Sequence, residues 1–129
     1  MFFYLKDGDA QIDAMMASVC ETGGGPVKQL TDLSIRWSDY PETAARAAES
    51  VATAKRPPRN RRHRATKTLI YRLQYNRFRQ IFEHHPGAVA VAWNGLTGTR
   101  RAYLAAARDA GFVALEAAVL VEPARLHLV

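Results

Sequence analysis

Residues 88–93 read AVAVAW, and this unbroken apolar run constrains the fold more than any other segment of the chain. Side chains of a β-strand point alternately to its two faces, so a run without polar residues predicts a strand that is covered on both faces. Strands of this kind belong to parallel sheets that carry helices on both sides. Residues 88–93 therefore predict an α/β protein with a buried parallel strand.

The rest of the chain alternates between strand-like and helix-like segments, as such a fold requires. We predict strands at 2–6, within 27–37, at 88–93 and from 112, and helices at 10–22, 41–55, 66–85 and 99–110. Asp9 is placed to cap the first helix, and Gly111 to end the last. These elements predict one Rossmann-like domain, residues 1–129, that is a three-layer sandwich with a mostly parallel sheet. The strands at 2–6, 88–93 and 112–116 are expected to be central and covered on both faces.

The segment 66–85 carries the strongest helical pattern. Four aromatic residues fall on one face of a 3.6-residue period, at Tyr71, Tyr75, Phe78 and Phe82. The face is widened by Leu69, Ile70, Leu73 and Ile81, and the polar face holds Arg72, Asn76, Arg79 and Glu83. Aromatic rings on the apolar face of a helix predict core packing. The alternative is a surface on which nucleic-acid bases stack while basic neighbours contact phosphates.

The net charge of +6 is concentrated in one part of the chain. Residues 1–49 hold eight acidic and four basic residues, whereas residues 50–82 hold ten basic residues and no acid. Because 55–65 also contains two prolines, we expect an exposed, mobile loop there. Its candidate anion-binding residues are Arg59, Arg61, Arg62 and Arg64. The alternatives are a solvated loop, or a surface over 55–79 that binds an anionic polymer; no motif favours nucleic acid as that polymer.

The predicted strand at 88–93 leads into NGLTGT, residues 94–99, followed by two arginines. In an open parallel sheet, ligands bind beyond the carboxyl ends of the strands, next to helix N-termini. The candidate ligand-binding residues are therefore Asn94, Gly95, Thr97, Gly98, Thr99 and Arg100. Glycines let a phosphate or sugar approach the backbone, threonines cap helices, and arginines supply charge for an anion. The alternative is a structural turn, since NGLTGT matches neither G-x-G-x-x-G nor the P-loop.

Glu116 is the candidate catalytic residue. It interrupts the apolar run that starts at residue 112, at the expected carboxyl end of a strand and near the 94–99 loop. A carboxylate at this place can bind a sugar hydroxyl or act as a general base. The alternative is a glutamate at the end of a strand that faces solvent.

The histidine and cysteine residues predict no metal site, and no cofactor is expected. His84 and His85 are adjacent and point in different directions, and they suit the C-terminal end of a helix. His63 and His127 show no ligand spacing. Cys20 is the only cysteine, which excludes an internal disulfide and predicts a reducing, cytoplasmic setting. No apolar run approaches the roughly 20 residues that span a bilayer.

The segment 71–116 resembles the N-terminal half of the capsule polysaccharide synthesis and export family, the Kdo-transferase-like proteins of Gram-negative bacteria. The similar pieces are an Arg-rich amphipathic helix, an apolar strand that ends in WNG, the helix TRRAYLAAARDAG and the strand FVALE. The resemblance implies one lobe of a two-lobed, GT-B-like glycosyltransferase whose substrate is a nucleotide-activated sugar. It implies that Asn94, Gly95 and Glu116 line the cleft between the lobes.

The resemblance also sets expectations about activity and partners. Such enzymes need a second lobe, which usually carries most donor-binding residues, and the 129 residues hold only the first. Because one lobe cannot enclose donor and acceptor, we expect no transferase activity from this chain alone and weak binding of a sugar or nucleotide-sugar ligand. The apolar stretch AAVLV at 117–121 predicts a surface that a second lobe, or a second copy of the chain, covers.

Overall fold

The computed structural model describes residues 1–33, 35–54, 56–93, 98–120 and 125–128. The elements in chain order are β1 (Phe2–Leu5), α1 (Ala10–Thr22), β2 (Val27–Leu30), α2 (Thr43–Ala52), α3 (Arg61–Glu83), β3 (Val89–Trp93), α4 (Gly98–Asp109), β4 (Val113–Leu120) and β5 (Arg125–Leu128). The strands form one sheet in the order β2-β1-β3-β4-β5. Strands β1 to β4 are parallel, and β5 runs antiparallel to β4. The fold is thus the expected Rossmann-like α/β sandwich.

The two faces of the sheet carry different helices. On one face α3 and α4 pack against the strands, with α2 lying over them, and on the other face lies α1. Along β3, Ala90 and Ala92 belong to the core under α3 and α4, while Val91 packs with α1. Small side chains on the first face leave room for large rings from α3 and α4, including Phe82 and Tyr103.

The predicted strands are central, but the helices do not cover all of them on both faces. Both β1 and β3 lie in the interior of the sheet between other strands, and β4 lies between β3 and β5. However, Val113 at the start of β4 is 59% exposed. The reason is that α1 packs mainly over β1, β2 and β3, and of β4 only Leu115 packs against the core on this face. The expectation that β4 is covered on both faces is therefore wrong at this end of the strand.

The connections between parallel strands place a crevice in the middle of the sheet. The chain moves in one direction from β1 to β2 and in the other from β3 to β4, with the connecting helices on opposite faces. This arrangement gives both crossovers the same hand, as parallel units require. The strand order reverses between β1 and β3, so their carboxyl ends border the place where ligands bind in open α/β sheets.

Two segments depart from their predicted structure. The strand expected within 27–37 ends at Leu30, because the backbone beyond it binds α3 instead of the sheet: the Arg36 N–H donates to the Leu73 carbonyl at 2.9 Å. The exposed loop expected at 55–65 is helical from Arg61 onward, although its described residues remain exposed or half-buried. Asn60 starts the helix, since its side chain accepts a hydrogen bond from the His63 N–H at 2.8 Å.

The predicted helix ends are otherwise mostly confirmed, but Asn76, predicted on the polar face of α3, is fully buried because the segment at 35–43 packs over it. The Asp9 carboxylate accepts from the Gln11 N–H at 2.9 Å, and Gly111 follows α4 with a φ of +82°. The four aromatic residues predicted on the apolar face of α3 are all buried. Leu69 and Ile70, expected to widen that face, are 39% and 49% exposed, since the core reaches only the second half of α3.

Candidate functional site

The crevice between β1 and β3 is closed by an ion pair. Asp7 follows β1, Arg100 lies in the first turn of α4, and their side chains form a salt bridge while only 9% and 18% exposed. The loop that carries Asp7 is held by Asp13, whose carboxylate accepts from the Asp7 N–H at 2.7 Å and from the Gly8 N–H at 3.2 Å. Burial lowers the pKa of Arg100. The charge of Arg100 is already balanced by Asp7, which argues against its predicted role in binding an anion.

Thr99 takes part in a link between three segments. Its hydroxyl donates to the Gln74 side-chain oxygen at 3.1 Å, and the Gln74 amide donates to the Asp32 carbonyl at 2.8 Å. Gln74 is only 4% exposed. Because α4 begins at Gly98, Thr99 is a residue of the first turn and not its cap. The first turn of α4 is thus tied through α3 to the segment that follows β2.

The remaining residues predicted at the 94–99 loop are only partly placed. Asn94, Gly95 and Thr97 lie outside the described residues. Glu116 is paired with Ala92 and lies in the middle of β4, which continues to Leu120, so its expected place at a strand end is wrong. Its register position is nevertheless level with the end of β3, where the loop begins.

A cavity of about 470 Å³ lies beside the start of α4. It is bordered by the C-terminal end of α2, by the middle of α3, and by Gly98 and Thr99. A Cβ atom added at Gly98 would meet no atom within 4 Å, which agrees with open space next to this residue. Two of the predicted ligand-binding residues are therefore brought to one concave surface, of a size typical for small-molecule sites.

The charged residues of this cavity are all cations. Arg56, Lys67 and Arg101 line it, and no carboxylate does so among the described residues. The Arg101 guanidinium donates hydrogen bonds to two neutral oxygens, the Ser50 carbonyl at 3.3 Å and the Thr53 hydroxyl. It thereby holds the C-terminal end of α2, where a cation is favourable.

The other side of the cavity is apolar. Val51, Ala54 and the half-exposed Ile70 face it, together with the Tyr71 ring. Burial raises the pKa of Tyr71 to about 12, so its hydroxyl remains protonated at neutral pH. The cavity thus combines positive charge, hydroxyl groups and apolar surface.

The four arginines predicted to bind anions lie outside this cavity, at the start of α3. Arg59, Arg61, Arg62 and Arg64 are exposed, and within the described chain none forms a salt bridge with a carboxylate. The first turn of α3 holds no acidic residue, although a helix N-terminus disfavours positive charge. The arginines are therefore available to an external anion.

Two cavity residues, Lys67 and Gln74, are not predicted as site residues by the sequence, in which Lys67 is only one cation of the basic segment. Gln74 had a recognisable signal: it falls three residues after Tyr71 and four before Phe78, on the predicted apolar face. A lone amide at such a position indicates a buried polar contact.

In the part of the chain that the structure describes, no group of three or more acidic, histidine or cysteine side chains is arranged to hold a metal ion. Likewise, none of the described helices is both long enough and apolar enough to cross a membrane.

No protein-family model, no curated protein and no solved structure matches this chain.

Proposed function

We propose that this chain is a sugar-binding, Rossmann-like lobe related to capsule polysaccharide transferases, and that it holds a sugar or nucleotide-sugar ligand at the carboxyl edge of its sheet. The observation that carries the proposal is the cavity beside the start of α4, which Gly98 and Thr99 line. Both belong to the loop region that the sequence predicts as ligand-binding. The lobe acts in the cytoplasm, where activated sugars are used.

In this proposal the residues around the loop have different roles in binding the ligand. Asn94 hydrogen-bonds the ligand, Gly95 and Gly98 allow its close approach, and Glu116 polarises a hydroxyl group. Support for Glu116 comes from its register with Ala92, one residue before the end of β3. Arg100 acts indirectly, because its salt bridge with Asp7 fixes the first turn of α4 against the β1–α1 loop.

Transfer of the sugar requires a second surface. Positioning donor and acceptor against each other in a closed, dry cleft is worth about 7–11 kcal/mol of barrier. The cavity is open on one side of a single lobe, so a second lobe or a second copy of the chain has to complete it. We therefore expect the chain to bind its ligand without turning it over.

Saturation-transfer NMR with a CMP-activated sugar tests this function. We expect saturation of sugar protons, weakened by Asn94→Ala and by Glu116→Gln but not by Glu21→Gln, which removes an exposed carboxylate on α1. Binding through the nucleotide alone, with no saturation of the sugar, would contradict the proposal. Turnover by the purified chain that Glu116→Gln abolishes would show that the site is completed by self-association.

A second candidate function is a binding module for an anionic polymer, through the basic segment 55–79. The observation in its favour is the group of exposed arginines at the start of α3, which lack carboxylate partners among the described residues. Binding of a polyanionic polysaccharide should then weaken steeply with salt, whereas binding of a neutral sugar at the cavity should respond little. Arg61→Gln combined with Arg62→Gln should flatten the salt dependence. A polymer affinity that is unchanged between low and high salt would exclude this function.

A further inference from the structure

The cations that line the cavity beside α4 are not balanced by salt bridges among the described residues. The six salt bridges of the described residues engage Arg46, Arg72, Arg79 and Arg100. The three cations of the cavity, Arg56, Lys67 and Arg101, take part in none of them. Three positive charges around one concave space, without a carboxylate from the described residues, favour binding of an anion.

The donors in the cavity suit a phosphate group better than a carboxylate. Lys67 lies on α3, Arg56 in the segment before it, and Arg101 in the first turn of α4. Donors from several directions match the tetrahedral oxygens of a phosphate. The N–H groups at the start of α4 add to this attraction, because a helix N-terminus favours negative charge.

The size and the apolar wall of the cavity favour an anion that carries an organic group. A volume of about 470 Å³ is several times the volume of a single inorganic ion, but it is too small to hold a polymer. Val51, Ala54 and Ile70 form a wall with which an ion alone makes no favourable contact. Ile70 is 49% exposed on α3 and gains from being covered.

We propose that this cavity binds a phosphate ester of mononucleotide size, with its phosphate between Lys67, Arg56 and Arg101 and its organic group against Val51, Ala54 and Ile70. The inference rests on the proposed function and adds the chemical class of the ligand and the residues that hold it. A nucleotide and a sugar phosphate share this chemistry.

Isothermal titration calorimetry with four probes tests the proposal: CMP, cytidine, glucose 6-phosphate and inorganic phosphate. We expect CMP to bind at least about 10-fold more tightly than cytidine, because the charge-assisted hydrogen bonds to the phosphate are lost. Inorganic phosphate should also bind more weakly than CMP, because it makes no contact with the apolar wall. If glucose 6-phosphate binds as tightly as CMP, the organic group is a sugar; if it binds more weakly, the organic group is a nucleoside.

The matched variants are Lys67→Gln in the cavity and Lys28→Gln, which removes an exposed lysine of β2 outside it. Lys67→Gln should weaken CMP binding by about 10-fold or more, whereas Lys28→Gln should leave it within about 2-fold. Ala54→Phe, which fills the cavity without changing charge, should abolish CMP binding. Cytidine binding as tightly as CMP, or equal effects of the two charge variants, would overturn the proposal.

These outcomes separate the inference from the proposed function. If CMP binding depends on Lys67 while Asn94→Ala and Glu116→Gln have no effect on any ligand, the phosphate site stands and the sugar-binding function fails. If sugar protons are saturated equally in the unmodified chain and in Lys67→Gln, the sugar-binding function stands and the phosphate site fails.

Discussion

Both halves of α3 carry arginines and apolar side chains, but the second half packs into the core and the first half lies at the surface. In the second half, Tyr75, Phe78 and Phe82 are fully buried, and the cations are paired: Arg79 with Glu42 at 2.9 Å, and Arg72 with Asp39. In the first half, residues 61–70 are exposed or half-buried, and within the described chain its arginines pair with no carboxylate. One continuous helix therefore anchors the fold at one end and presents charge at the other.

The difference arises from what lies beside each half. The segment at 35–42 runs along the second half, where the Asn76 amide donates to the Arg36 carbonyl at 3.1 Å and to the Asp39 carboxylate at 2.8 Å. The acidic residues of 1–49 thus neutralise the second half only. An arginine is structural or available for binding according to whether a carboxylate lies within its reach, and residue type alone does not decide this.

The largest effect should come from removing a ring in the second half. Phe82 is fully buried and lies 5.5 Å from Phe3, 5.4 Å from Tyr103 and 5.1 Å from Phe112, measured between ring centroids. Phe82→Ala should lower the free energy of unfolding by about 3–5 kcal/mol. Denaturant unfolding measures this. Ile70→Ala in the first half is the control and should cost less than about 1 kcal/mol, since half of Ile70 remains in water. Equal losses would contradict the distinction between the halves.

The period of the aromatic residues was sufficient to predict the buried face of α3, because large rings at 3.6-residue spacing have few alternatives to a core. The same pattern failed at Leu69 and Ile70. They continue the apolar stripe, but the sheet and α4 end before they are reached, and no local signal reports the extent of a neighbouring element. The start of the helix was missed for a similar reason: Asn60 is a good cap, but the prolines before it favoured a loop.

A smaller loss of stability is expected when a buried amide side chain is removed. Asn76 is fully buried, and besides its two donated hydrogen bonds its oxygen accepts from the Thr43 hydroxyl at 2.6 Å. Asn76→Ala should reduce the free energy of unfolding by about 1–3 kcal/mol, because the groups that it satisfies are left without partners. Thr66→Ala in the first half removes an exposed hydroxyl and should change stability by less than about 0.5 kcal/mol. A neutral Asn76→Ala would mean that the 35–42 segment is held by other contacts.

The acidic partners of the second half should make stability depend on pH. Hydrogen bonds from Asn76 and then Arg72 lower the pKa of Asp39, and those from Arg46 and then Tyr75 lower the pKa of Asp109. Groups with lowered pKa values stabilise the fold above the ordinary carboxyl pKa of about 4, and this stabilisation is lost as the pH falls through the folded values. Urea unfolding should therefore show lower stability at pH 3 than at pH 7, and a smaller difference in Asp109→Asn. Arg62→Gln, in the first half, should keep the difference of the unmodified chain.

Less of the site than of the fold was predictable from the sequence. A ligand site at the carboxyl edge is an expectation from strand order, and two of the residues predicted for it, Gly98 and Thr99, line a cavity between α2, α3 and α4. The pairing of Arg100 with Asp7 joins residues that are 93 positions apart, and no local pattern encodes it. Lys67 and Arg101 line the same cavity because of the way in which α3 and α4 pack against each other. Helical periodicity predicts which face of each helix is buried, but not which residues of the other helix that face contacts.

The smallest predicted effect is a gain of stability and not a loss. Arg61 is the first residue of α3, where the helix N-terminus disfavours a cation and where Arg62 and Arg64 add like charge. Arg61→Glu should therefore raise the free energy of unfolding by about 0.3–1 kcal/mol at low salt, and less at high salt, because the interaction is exposed and screened. Arg61→Gln, which removes the charge without reversing it, should give a smaller gain. If the chain binds an anionic polymer, the same Arg61→Glu variant should bind it more weakly, so that stability and binding change in opposite directions. A loss of stability on this substitution would mean that Arg61 has a favourable partner, and the first half of α3 would then be structural like the second.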